Sequence, residues 1–156
     1  MTFELKRYPE LGITLIMFSG DVSVDDVIKL FGSLDNRDAG RWLTYCDPTV
    51  TTGALGVDVV PRLKQLIADK QSAIFDGAYP RNAMVYASRA GEEFLIFWQR
   101  YTLTGDVHPM TPAIFSDFKA ACDWLGLSEA AHAKLKAEVG RFEAEARSPG
   151  PDASGG

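Results

Sequence analysis

Two hydrophobic periods alternate along the chain. Short runs with the period of a strand are separated by longer stretches in which apolar residues recur every three or four positions, as on one face of a helix. Phe3 to Tyr8 (FELKRY) puts Phe3 and Leu5 on one face and Glu4 and Lys6 on the other, and Pro9 closes it, as in an edge strand. After a turn at Leu11-Gly12, Ile13 to Phe18 (ITLIMF) is almost wholly apolar. It predicts a strand buried on both faces that forms an antiparallel hairpin with the first. Ser23 and Asp26 form a variant capping box, and Val24, Val27, Ile28, Phe31 and Leu34 follow at helical spacing, so a helix is expected over 23–35.

The pattern then repeats. Trp42 to Cys46 (WLTYC), closed by Asp47-Pro48, reads as a third strand. The stripe Val57, Val60, Leu63, Leu66 and Ile67 predicts a helix over 57–72, with Pro61 tolerated only near its first turn. Asn82 to Ala87 (NAMVYA) is a fourth strand, and Ser88 caps a third helix that reaches Thr104, with Gly105 at its end. Val107 to Phe115 contains Pro109 and Pro112 and is expected as an edge or irregular strand. A helix over Ser116–Leu125 stops at Gly126. A last one, capped by Ser128, carries Leu127, Ala131, Leu135, Val139, Phe142 and Ala146 along one stripe.

Strands alternating with helices imply an α/β fold with right-handed crossovers and a mixed, mostly parallel sheet. The order is β-β-α-β-α-β-α-β-α, followed by an extra C-terminal helix. Residues 1–127 are expected to form the domain and 128–147 an added amphipathic helix. The segment SPGPDASGG, 148–156, holds only turn formers and small residues and is expected to be disordered.

Composition narrows the function. A chain of 156 residues accommodates one domain. Sixteen Lys and Arg against 21 Asp and Glu give a net charge of −5, which argues against a nucleic-acid partner. Cys46 and Cys122 stand apart, with the spacing of neither a disulfide framework nor a redox pair, and are expected as buried thiols. The opening MTFELKRYPE has no apolar leader segment, so a cytoplasmic location is expected. The longest apolar run, Phe94 to Trp98, is five residues, against the ~20 of a membrane-spanning helix.

Particular residues resemble a known family. Phe18-Ser19-Gly20 before a helix, a strand ending in Asp47, the segment NAMVYAS before a helix, and Ile114-Phe115-Ser116-Asp117-Phe118 leading to Ala121 and Trp124-Leu125-Gly126-Leu127 resemble the SpoIIAA-like proteins. That bacterial family is grouped with the STAS domain and, more remotely, with the CRAL-TRIO lipid-binding domain. The resemblance spans residues 3–127 and implies a STAS-like fold; it says little of activity. In STAS-class anti-sigma-factor antagonists a D-S-S-G turn holds a phosphorylated serine. The comparable loop here is Val50-Thr51-Thr52-Gly53, so the resemblance makes Thr52 the phosphoacceptor candidate, with Val50 where the motif has its acid. The same residues also serve as caps for the following helix.

Catalytic parts are scarce. His108 and His132 have no metal-ligand spacing, and no nucleophile elbow, phosphate loop or dinucleotide fingerprint occurs. Asp21, Asp25 and Asp26 suit the N-terminus of the first helix. Asp47 lies where open α/β sheets place ligands, with Arg81 or Arg89 as its candidate partners. A non-enzymatic domain without metal or cofactor is expected. The informative stretch is in the third helix: side chains step 100° per residue, so the apolar run Phe94 to Trp98 points all around the axis. Phe94, Phe97, Trp98 and Tyr101 are therefore the candidate surface for a ligand or partner. The occupants considered are the last helix, a second subunit through helix 91–104, a regulatory protein or an apolar small molecule.

Overall fold

The computed structural model describes residues 3–53, 60–75, 80–102 and 111–147. Its elements are β1 (Phe3–Tyr8), β2 (Ile13–Phe18), α1 (Val24–Ser33), β3 (Arg41–Cys46), α2 (Val60–Phe75), β4 (Arg81–Tyr86), α3 (Arg89–Thr102), β5 (Thr111–Phe115), α4 (Phe118–Trp124) and α5 (Glu129–Arg147). Short 3-10 turns occupy Pro9–Leu11 and Asn36–Asp38. One sheet is formed in the order β1-β2-β3-β4-β5, with β1 antiparallel to β2 and every later pair parallel. The expected mixed, mostly parallel α/β architecture is therefore what the chain adopts.

The strand order decides where the helices lie. Each new parallel strand joins the same growing edge, so right-handed crossovers set α1, α2 and α3 on one face. Ile16, Phe18, Trp42, Cys46 and Met84 point to that face and pack with Val27, Leu30 and Phe31 of α1, Leu63 of α2, and Phe94 and Leu95 of α3. The alternate residues Leu15, Met17, Leu43, Tyr45, Ala83 and Val85 face the other way. They meet Ala121, Cys122 and Leu125 near α4 and Leu135, Val139 and Phe142 of α5. All six β2 residues are buried, as a strand covered on both sides requires.

Several expectations are adjusted. The last helix lies on the sheet face opposite α3, so it does not cover the apolar run Phe94 to Trp98. The second helix is described from Val60 rather than from 57, with 54–59 outside the described residues. The edge strand is described over Thr111–Phe115, and the remainder of the expected 107–115 lies outside the described residues. Asp117, not Ser116, caps α4: its carboxylate accepts from the Lys119 and Ala120 amides, both at 3.3 Å, which leaves Ser116 in the turn before the helix. The capping boxes of Ser23 and the cap of Ser128 are as expected, with Ser23 Oγ accepting from the Asp26 amide at 3.2 Å and Ser128 Oγ from that of Ala131 at 3.1 Å. The tail 148–156 lies outside the described residues.

A fully buried carboxylate ties the hairpin to the rest. Asp38 has 0% exposure and accepts from Arg7 Nε at 2.9 Å, Arg7 Nη2 at 3.0 Å, Thr14 Oγ at 2.8 Å and the Asp35 amide at 3.0 Å. Arg7 also donates to the Ser33 carbonyl at 2.7 Å, at the end of α1. The next step of chain is equally constrained. A Cβ on Gly40 would stand 2.5 Å from the Gly12 carbonyl oxygen, which accepts the Arg41 amide at 2.8 Å, so glycine is required for β3 to start there.

Charges hold α5 across β1. Arg141 pairs with Glu4, Glu138 and Glu145, and Lys6 reaches Glu138 at 2.8 Å. Lys134 meets Glu10 at 2.6 Å and lies 5.1 Å from the Tyr8 ring centroid. Arg141 and then Lys6 hold the Glu138 carboxyl below its ordinary 4.5.

Two outcomes follow from these contacts. Asp38→Ala leaves Arg7 and Thr14 facing a buried gap and is expected to remove about 3–5 kcal/mol of stability in urea unfolding, whereas a loss below about 1 kcal/mol would deny Asp38 its organising role. Because the folded Glu138 value is depressed, its contribution is complete above pH 4.5 and is lost as pH falls through the lower folded value. Stability measured between pH 6 and pH 3 should therefore fall less steeply in Glu138→Gln than in the parent chain.

Candidate functional site: a cavity between the sheet and helices α1 and α3

Two polar residues interrupt the helix-facing side of the central strands. Thr44 of β3 and Asn82 of β4 lie on the face otherwise made by Ile16, Phe18, Trp42 and Met84, and each is buried, at 6% and 3% exposure. The Thr44 hydroxyl donates to Asn82 Oδ1 at 3.0 Å. Asn82 Nδ2 has no partner among the described residues. Beside this pair is a cavity of about 30 Å³, walled by Ile16, Phe18, Val27, Leu30, Phe31, Trp42, Met84, Phe94, Leu95 and Trp98. That volume takes one water-sized group.

Aromatic contacts build the walls. Phe18 meets Phe94 edge-on with centroids 5.5 Å apart, and Trp98 stacks on Phe31 at 5.8 Å and 28°. Every lining residue is buried except Trp98, which is half-buried. Trp98 is thus the wall through which the cavity meets the surface.

The candidate surface divides on the two sides of α3. Phe94, at 3% exposure, and Trp98 face the cavity, Phe97 is half-buried, and Ile96 is 40% exposed on the outer side. Phe94 is accordingly buried between helix and sheet and is not presented at the surface. Tyr101 belongs to the end of α3, and its side chain lies outside the described residues. Asn82 and Thr44 escaped sequence reasoning. The only signal was a polar residue at alternate positions of WLTYC and NAMVYA, on the side shared with Trp42 and Met84.

At the C-terminal edge of the sheet the loops are tied to each other. The buried Asp47 carboxylate accepts from the Thr49 amide at 2.8 Å and the Thr49 hydroxyl at 2.5 Å, and Thr49 Oγ accepts the Gly20 amide at 2.9 Å. Neither expected partner approaches it: Arg81 donates to the Trp124 carbonyl at 2.7 Å and stacks 5.1 Å from that ring, and Arg89 pairs with Glu93 at 3.5 Å. Asp47 shapes a loop. Thr51 Oγ donates to Asp21 at 2.9 Å, and a Cβ on Gly53 would lie 3.7 Å from the same carboxylate oxygen. Thr52, half-buried, stands between two residues that adjoin Asp21, so a phosphate there would develop beside a negative charge. Asp26 completes the α1 capping box and Asp25 is exposed in the first turn.

An open cleft beyond β4 is lined by Tyr86, Ser88, Arg89, Glu92 and Ser116. Ser88 Oγ accepts the Gly91 amide at 3.2 Å, and its hydrogen bond to Glu92 holds the Tyr86 hydroxyl above its ordinary value. His132 packs against Phe118 at 5.6 Å, and His108 lies outside the described residues. Among the described residues, no group of His, Cys, Asp and Glu could hold a metal ion, and no helix is long and apolar enough to cross a membrane.

The two thiols are separated by the sheet. Cys46 belongs to the core under α1–α3 and Cys122 to the core under α5. Burial pushes both up, Cys122 to about 11, which keeps them protonated and unreactive at neutral pH.

Comparison with known proteins brings no family to this geometry: no family model, curated protein or solved structure matches the chain.

Proposed function

We propose that this chain is a STAS-like domain of the SpoIIAA-like kind that acts by binding, and that the bound species is a small apolar molecule between the sheet and α1 and α3. One observation carries the reading: an apolar cavity beneath α3 with a single half-buried wall, Trp98, stacked on Phe31. Because about 30 Å³ admits only a water-sized group, a larger ligand enters as Trp98 moves off Phe31 and the space widens. Binding then reads out directly through Trp42 and Trp98, which both line the site. The β-hairpin followed by sequential β-α units supports the family resemblance at the level of architecture.

A second reading, a homodimer through α3, is favoured by Ile96, a large hydrophobic residue left 40% exposed beside the half-buried Phe97. The two readings use opposite sides of one helix.

Native mass spectrometry of freshly purified protein should show a small apolar molecule retained on the chain, and a neutral probe such as N-phenyl-1-naphthylamine should quench tryptophan saturably. Bare polypeptide mass together with no saturable quenching would count decisively against the ligand. For the dimer, light scattering at tens of micromolar should give twice the chain mass and revert to one chain in Ile96→Glu; a monomer in both removes that reading.

A further inference from the structure

Asn82 carries a detail that an apolar cavity alone does not explain. Its amide is 97% buried, since only 3% is exposed, and one end is occupied by the Thr44 hydroxyl at 3.0 Å. The other end, Nδ2, carries two N–H groups and has no partner among the described residues, and Asn82 is one of the residues that line the cavity. Leaving a buried donor unmade is unfavourable, and native proteins pair the great majority of such groups. An apolar side chain of similar size would fill the same position without that cost. The amide is also held in place by Thr44, whose hydroxyl donates to Oδ1.

We propose that Asn82 is the polar anchor of a ligand site in this cavity, donating from Nδ2 to one acceptor oxygen, a carbonyl or hydroxyl, of a small neutral molecule whose apolar body lies against Phe94 and Trp98. The proposal rests on the binding function inferred above and adds the ligand's chemical class. None of the described lining residues is charged, so an ionised head would be buried without a counter-charge, which disfavours carboxylates and amines. The volume of about 30 Å³ matches the oxygen end of such a ligand in the resting state. Thr44 is a positioning residue: its hydroxyl orients the amide and does not meet the ligand's oxygen.

The probes are benzyl alcohol and toluene, which share a ring and differ in the hydroxyl. Tryptophan fluorescence and the Asn82 side-chain amide resonances are followed as each is added to the full chain. Benzyl alcohol is expected to bind saturably, about tenfold or more tighter than toluene, and to move the Asn82 amide resonances. In Asn82→Leu the preference should disappear while toluene still binds. If Asn82→Leu does not fold, Thr44→Val serves instead and should weaken benzyl alcohol without weakening toluene. Should neither probe bind the parent chain, the cavity is not a ligand site and the proposed function fails with it. Equal binding of both probes, or a preference that survives in Asn82→Leu, leaves the cavity reading standing and overturns the anchor. A crystal structure at saturating benzyl alcohol in which a water keeps the Asn82 Nδ2 contact overturns it also.

Discussion

A buried charge pair is the constraint on which the N-terminal half of this fold depends. Asp38 sits under β1 and β2 with no exposure, and its two oxygens collect an arginine, a threonine and a backbone amide. Removing a carboxylate from water is unfavourable by several kcal/mol, so the site is tolerable only with every partner in place. Those partners come from β1, from β2 and from the start of the 3-10 turn itself, and Arg7 extends the set to the end of α1. The carboxylate thereby specifies the register of the one antiparallel pair against the parallel sheet. Hydrophobic burial alone would accept a slipped hairpin; this ion pair would not.

With β1 and β2 fixed, the sheet separates two environments. The α4–α5 side is clamped at its rim by Arg141, Lys6 and Lys134. The α1–α3 side contains Thr44, Asn82 and a cavity. The proposed binding site and the charged clamp therefore lie on opposite faces of one sheet.

Much of this architecture was legible in the residues. The unbroken apolar run ITLIMF implied a strand covered twice, and the stripe Leu135, Val139 and Phe142 is the buried face of α5. In FELKRY, Arg7 shares the alternation of Phe3 and Leu5, a trace of the buried charge that only the structure reveals. Its acceptor lay out of reach of periodicity, since Asp38 stands in the polar run Asp35-Asn36-Arg37-Asp38 and is buried only by long-range packing. The position of α5 was invisible for a related reason: an amphipathic stripe says that one face is covered but not by what. The candidate site was half legible. Phe94 and Trp98 signalled an overloaded helix, whereas the surroundings of Asn82 depend on Thr44 of the neighbouring strand, 38 residues away in the chain.

The strand order carries a consequence for how the molecule is made. Each strand lies next to its predecessor in the chain, so the α1–α3 layer can assemble unit by unit as synthesis proceeds from the N-terminus. The opposite layer cannot. Leu15, Met17, Leu43 and Tyr45 precede their cover, α4 and α5, which follow all five strands along the chain. Until those two helices are made, the nascent chain therefore presents an uncovered apolar sheet face to chaperones and to aggregation.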